Sequence, residues 1–266
     1  MNTFKKTTLA LAISALAGGA MAQSAPAPAP EPSPITANVT VVNDYRYRGI
    51  SQSNFKPAIQ GGFDYAHESG FYIGNWNSTI SWVGDLNPGM SAPLEMNFYG
   101  GFKKDLFAEG FATDIGVLQY YYPTSGPFTA LVNPNTTEIY LAQNLTLGPV
   151  TGFVKFSYAV TNAFGWQNSS GSYYPDLTLN YDTGIWGLAL NGHIGYQYIA
   201  GSVDGVSNNT NASFTDWKVG FSKDFGGGLS AAIAYVGSNS KLAGYASPQG
   251  KNLGRDGGLI SLTKTF

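Results

Sequence analysis

Residues 175–197 read PDLTLNYDTGIWGLALNGHIGYQ, and the fold turns on that stretch. Leu177, Leu179 and Tyr181 alternate with Asp176, Thr178, Asn180 and Asp182. After a short break, Trp186, Leu188, Leu190, Ile194, Tyr196 and then Tyr198 alternate with Asn191, His193 and Gln197. Successive side chains of a strand point to opposite sides of a sheet, so each segment is greasy on one face and wet on the other.

The same pattern recurs along the chain. Strand-like segments start at Ala37, Pro57, Phe71, Leu94, Phe111, Thr136, Val150, Ser172, Trp186, Phe214, Leu229 and Gly257. Their spacing alternates between short and long, roughly 14 to 28 residues, where a membrane-spanning strand needs ~9–11. Every second connection is therefore a tight turn and every other one a real loop. A soluble sandwich has no reason to gather its long loops on one side. An outer-membrane barrel does, with short periplasmic turns and longer extracellular loops.

Face by face, the first segment sets Ala37, Val39, Val41, Tyr45 and Tyr47 against Asn38, Thr40, Asp44, Arg46 and Arg48. The fourth sets Leu94, Met96, Phe98 and Phe102 against Glu95, Asn97, Tyr99 and Lys103, and the seventh Val154, Phe156 and Tyr158 against Lys155 and Ser157. The third is less regular; Tyr72, Trp76, Ile80 and Trp82 are expected to face out, opposite Asn75 and Asn77. A Lys or Arg facing lipid at the midplane costs ~2–4 kcal/mol, and nearly every mid-strand charge falls on the polar face. Aromatics near strand ends, among them Tyr45, Tyr47, Trp82, Tyr121, Tyr122, Tyr173, Tyr174, Trp186, Tyr196, Tyr198 and Trp217, are expected to form interfacial girdles.

Composition agrees. Charged residues make up 11% of the chain, against about 25% in ordinary soluble domains. The longest uncharged stretch past the leader, 183–203, contains five glycines with Asn191 and His193, unlike the apolar run of about 18 or more that a spanning helix needs. Residues 1–22 read as a secretory signal peptide: Lys5 and Lys6, an apolar stretch from Thr7 to Ala20, then Ala20-Met21-Ala22. Removing Lys5 and Lys6 leaves 12 basic against 16 acidic side chains, which argues against nucleic acid as a partner. Residues 23–36, with proline at 26, 28, 30, 32 and 34, form a flexible periplasmic lead-in, and 37–266 the barrel. With no cysteine, disulfides and thiolate metal sites are excluded; no metal or cofactor is expected.

The chain ends at Phe266, with Ile260 and Leu262 on the same face. A terminal aromatic after alternating apolar residues resembles the signature by which barrel proteins are handed to the insertion machinery. Lys264 departs from it; at a membrane rim its ammonium can snorkel to water.

Two blocks, Asn43-Asp44-Tyr45-Arg46-Tyr47-Arg48-Gly49-Ile50-Ser51-Gln52 and residues 57–67 (PAIQGGFDYAH), carry a family resemblance. Glu138-Ile139-Tyr140-Leu141, residues 215–220 (TDWKVG) and Ser222-Lys223-Asp224 add to it. From about Ala37 to Phe266 the chain resembles the TorF-type family of outer-membrane porins of proteobacteria. The resemblance implies a Gram-negative outer-membrane barrel engaged in transport, without catalytic residues to carry over.

Asp44, Arg46 and Arg48 are expected to project from one strand into the lumen beside Asp64 of the next. Glu95, Lys103, Asp114 and Glu138, then Lys155, Asp176, Asp216 and Lys218, extend the expected pore lining. Rings of charge filter solutes in pores, but the same residues serve equally as ion pairs that brace or plug a narrow barrel. About eight strands leave a filled interior and 16–18 an aqueous channel; twelve falls between. His67 lies in a turn and His193 on a polar face, so a lipid hydrolase, whose nucleophile works at the lipid surface, is disfavoured.

The expectation is an all-β, transmembrane, antiparallel up-and-down barrel of twelve strands with both termini periplasmic. It passes small hydrophilic solutes passively and has outer-membrane lipids and the insertion machinery as partners. The rival is a non-conducting barrel with a structural, adhesive or receptor role.

Overall fold

The structure is a computed structural model that describes residues 33–129 and 132–266; the expected signal peptide and most of the expected lead-in lie outside the described residues. Twelve antiparallel strands close into a barrel. They are β1 (Ile35–Val42), β2 (Ala58–Ala66), β3 (Phe71–Thr79), β4 (Leu94–Asp105), β5 (Ala112–Tyr121) and β6 (Thr136–Leu147). They continue as β7 (Val150–Ala159), β8 (Tyr173–Asp182), β9 (Leu188–Gln197), β10 (Phe214–Asp224), β11 (Leu229–Ser238) and β12 (Gly257–Thr265). The ring is sealed by β1 against β12, in a register that pairs Asn38 with Thr265 and Val42 with Ser261. Thr40 and Thr263 hydroxyls meet across this seam at 2.8 Å. Closure leaves no strand edge, which is what a hydrocarbon environment requires of a sheet. Among the described residues no helix is long and apolar enough to cross a membrane.

Short turns join β2–β3, β4–β5, β6–β7, β8–β9 and β10–β11; the long segments, beginning with 43–57 and ending with 239–256, all lie at the other end. β1 starts at Ile35, so the last two residues assigned to the lead-in belong to the barrel.

The outer wall carries the apolar set. Ile59, Phe63, Ile115, Val154, Phe221 and Ile260 are all exposed on the barrel's exterior, and Trp186 is 82% exposed in the β8–β9 turn. The faces of β3 run opposite to the sequence expectation. Phe71 and Ile73 are each 63% exposed, whereas Trp76 is 8% exposed and points inward with Tyr72. Asn75 and Asn77 are the outward pair. They tolerate that position because they bond each other and because their amide nitrogens donate to the carbonyls of Asn97 and Gly61.

Five expected girdle aromatics are also inside. Tyr45, Tyr47 and Tyr122 pack with Trp76, Ile80 and Val83 in one apolar cluster that also takes in Trp82, from the single-turn helix α1 (Trp82–Leu86). Tyr174 lies on the inner face of β8. Lys223, whose place near the rim of β10 would suit an inward charge, follows the outward register of Val219 and Phe221.

Inward tyrosines also explain part of the glycine content. Tyr99, Tyr72, Tyr140 and Tyr174 lie over Gly74, Gly101, Gly116 and Gly195 of adjacent strands. A Cβ at Gly195 would stand 2.1 Å from the Tyr174 hydroxyl, so the ring occupies the space of the missing side chain.

Candidate functional site: a hairpin across the lumen

β1 stops at Val42, and residues 43–57 turn into the barrel instead of extending the strand as expected. Arg46 pairs with Ser51 and Tyr47 with Ile50, leaving Arg48-Gly49 as a two-residue tip. Both tip residues have positive φ, 47° and 74°, the combination of a type I′ hairpin turn. Glycine adopts it freely; for arginine it is a strained choice that the surroundings enforce. Gly49 is also tightly enclosed, for an added Cβ would lie 2.8 Å from both Asp216 Cβ and the Gly237 carbonyl oxygen.

The base of the hairpin is fastened by its own charges. Arg46 pairs with Asp44, and its Nη1 donates to the carbonyls of Gly49 and Arg255 at 2.9 Å each. Asp44 accepts from Ser51 Oγ at 2.6 Å, and Tyr45 N donates to Ser53 Oγ at 3.0 Å. Burying an ionised pair is costly unless the remaining lone pairs and protons find partners, and here most of them do.

At the tip, Arg48 reaches the far wall. Its Nη2 donates to Glu138 Oε2 on β6 at 2.8 Å, and its Nη1 to Gln197 Oε1 on β9. The guanidinium lies over the Tyr174 ring at 4.0 Å and beside Tyr47 and Phe164. In a ring of twelve, β6 to β9 surround the strand opposite β1, so the hairpin spans the bore. The loop-end half behind it is filled by the apolar cluster. There Tyr45 stacks edge-on against Trp76 at 5.5 Å, and Glu95, 1% exposed, accepts from Tyr45 and Asn97.

Beyond the cluster the inner face is charged, along a line that runs obliquely from the turn end at β4–β5 to the loop end at β10. The cross-strand register aligns Lys103, Asp114, Lys155, Asp176 and Asp216 in one row over β4–β10, with Ala142 and Gly195 between them. Asp114 accepts from Tyr72 Oη at 2.6 Å. Asp64 bonds Tyr99 and not the Asp44–Arg48 group beside which it was expected. Lys155 rests on the Tyr140 ring at 4.2 Å, and among the described residues Lys103, Lys155 and Lys218 take part in no ion pair. The twelve expected lining residues thus divide. Asp44, Arg46, Arg48, Glu95 and Glu138 belong to the hairpin and its supports; the other seven face the interior of the barrel.

His193 is held on both ring nitrogens, Nδ1 by Thr178 Oγ1 and Nε2 by Asp216 Oδ2, each at 2.9 Å, with Tyr174 Oη 3.0 Å from Nε2. A hydroxyl, an imidazole and a carboxylate in series can orient one another and relay a proton. The set faces the interior, away from acyl chains. Among the described residues no group of histidines and carboxylates is arranged to hold a metal.

Gln197, Tyr174 and Phe164 were not singled out by sequence reasoning as partners of the tip. Gly49 alone hinted at a turn there; Arg-Gly is not one of the dipeptides that mark a two-residue hairpin.

Loops 160–172, 198–213 and 239–256 interlock above this region. Tyr245 packs against Trp166 and Phe214, and its hydroxyl donates to the Ala212 carbonyl at 2.6 Å; burial pushes that phenol's pKa up and keeps it a donor.

Comparison with known proteins gives the fold a context. A family model described as a bacterial protein of unknown function (Gcw_chp) matches residues 26–266. The crystal structure of the COG4313 outer membrane channel from Pseudomonas putida F1 superposes with a TM-score of 0.56. It covers 92% of this chain and 100% of that one at 12% identity. The KdgM porin, in complex with disordered oligogalacturonate, gives 0.51 over 87% and 97% at 7% identity. No curated protein matches the sequence.

Proposed function

The chain belongs to the Gcw_chp family of bacterial proteins of unknown function, and from that premise we propose that it is a porin-like channel of the bacterial outer membrane. It passes small hydrophilic solutes passively, with both termini and the short turns on the periplasmic side. One observation carries this reading: a closed twelve-stranded barrel keeps an apolar exterior and a row of charged side chains along its interior. Charge inside a membrane-spanning wall is costly unless water or a solute path meets it. The fold shared with outer-membrane channels and the resemblance to TorF-type porins support the same reading.

In this reading the Arg48 hairpin is the constriction. It narrows the bore at the loop end, so solutes small enough to pass the tip are the ones conducted. A second reading, a non-conducting barrel with a structural, adhesive or receptor role, is favoured by the packed apolar cluster around Tyr45 and Trp76. Planar-bilayer recording of the refolded protein distinguishes them. Discrete current steps are expected; correctly folded barrels that give none would sink the channel.

A further inference from the structure

On the outer wall, at the loop end of β5–β7, lies an open groove of about 490 Å³. Gln119 and Tyr121 close β5, Asn133 and Asn135 precede β6, Thr137 opens it, and Thr161 and Asn162 follow β7. Gln119 and Thr137 are cross-strand partners in the outward register that, one step along, carries Val117 and Ile139. Amides and hydroxyls therefore replace the apolar belt where it ends. The lining holds no ammonium, guanidinium or carboxylate.

Hydrogen bonding in the groove is one-sided. Asn135 Oδ1 accepts from Tyr122 N at 2.8 Å, Asn133 Oδ1 from Asn135 N at 3.0 Å, and Asn162 Oδ1 from Ser169 N at 2.9 Å. Gln119 is satisfied at both ends, donating to the Tyr120 and Thr136 carbonyls and accepting from Thr137 Oγ1. The fold thus uses each carboxamide oxygen. Among the described residues it leaves the side-chain nitrogens of Asn133, Asn135 and Asn162, and the Tyr121 hydroxyl, without a protein acceptor. Each such nitrogen has two N–H donors.

Surplus neutral donors beside a half-exposed aromatic ring fit a ligand rich in uncharged oxygens. A phosphate or carboxylate would call for a cation, and none is present. A sugar ring matches: its hydroxyl and ether oxygens accept, and its C–H face packs on the phenol. We propose that this groove seats a neutral sugar of a glycolipid in the surrounding leaflet, with the acyl chains lying on Val117, Ile139 and Tyr158 below. The proposal rests on the barrel being membrane-embedded with its loops outward; it does not require conduction.

The test uses the full barrel in detergent and native mass spectrometry with two probes, an uncharged diglucosyl diacylglycerol and the diacylglycerol with the same acyl chains. Wild type is expected to retain the glycolipid preferentially. The double variant Asn135→Asp, Asn162→Asp keeps the oxygens that cap Tyr122 N and Ser169 N but removes the free donors. It is expected to lose that retention about tenfold, the equivalent of ~1.4 kcal/mol, with diacylglycerol retention unchanged. Tyr121→Leu, at an exposed position with no bonded partner, provides a second variant expected to move the same way should the first misfold. No preference for the sugar-bearing lipid in wild type, or equal losses for both lipids, would overturn the proposal. Bilayer currents from the same preparation report on the channel alone, so failure of one reading is distinguishable from failure of the other.

Discussion

Arg48 Nη2 lies 2.8 Å from Glu138 Oε2, although the two residues come from opposite sides of a twelve-stranded ring. The contact ties a hairpin tip to the wall it faces; in the channel reading it sets how much of the bore stays free. Arg48→Ala is expected to widen the constriction and raise single-channel conductance severalfold, and Glu138→Gln to move it the same way by a smaller amount. Removing one partner of a buried pair costs about 3–5 kcal/mol, so Arg48→Ala should also lower the urea midpoint. An unchanged conductance in bilayer recordings would remove the hairpin from the constriction.

Tyr174 covers Gly195 and also bonds Asp216, at 2.8 Å. Gly195→Val should drive the ring off the wall. Overpacking of this kind costs about 1–3 kcal/mol, read as a lowered denaturation midpoint of the refolded barrel. The same substitution at Gly192, where nothing lies within 4 Å of an added Cβ, should cost little.

The reversed faces of β3 make a paired prediction. Ile73→Arg places a guanidinium in lipid and should cost up to ~2–4 kcal/mol, depending on depth, when unfolding is followed in vesicles. Gln60→Arg, on the inner face of β2, should carry no lipid penalty. Equal responses would contradict the placement of Ile73 on the exterior.

Phe266 is 72% exposed and follows Ile260 and Leu262 on the outward face; Lys264, between them, donates to the Gly227 carbonyl in the β10–β11 turn. Deleting Phe266 is expected to slow machine-assisted insertion into proteoliposomes several-fold while leaving spontaneous refolding in detergent unaffected. Equal rates with and without the residue would show that the terminal signature is not used.

Strand starts were legible because period-two alternation is a local signal. Phe71, Leu94, Thr136, Val150, Phe214, Leu229 and Gly257 begin strands where the pattern places them, and the others lie within two residues. The hairpin was not legible. Asp44 to Arg48 alternates like the strand before it, and only the positive φ at Arg48 and Gly49 reverses the chain. β3 misled for a related reason. Its outward asparagines satisfy each other and nearby carbonyls, a solution that hydrophobicity alone cannot express. For most charged side chains on strands, Lys223 excepted, alternation told which way they face; their partners depend on register between strands distant in sequence.

Arg46 donates to the carbonyl oxygens of Leu253 and Arg255, and Ser51 N to the Leu253 oxygen. A hairpin near the start of the described chain is thus anchored to backbone near its end. Its fastening therefore depends on the same closure that brings β1 against β12.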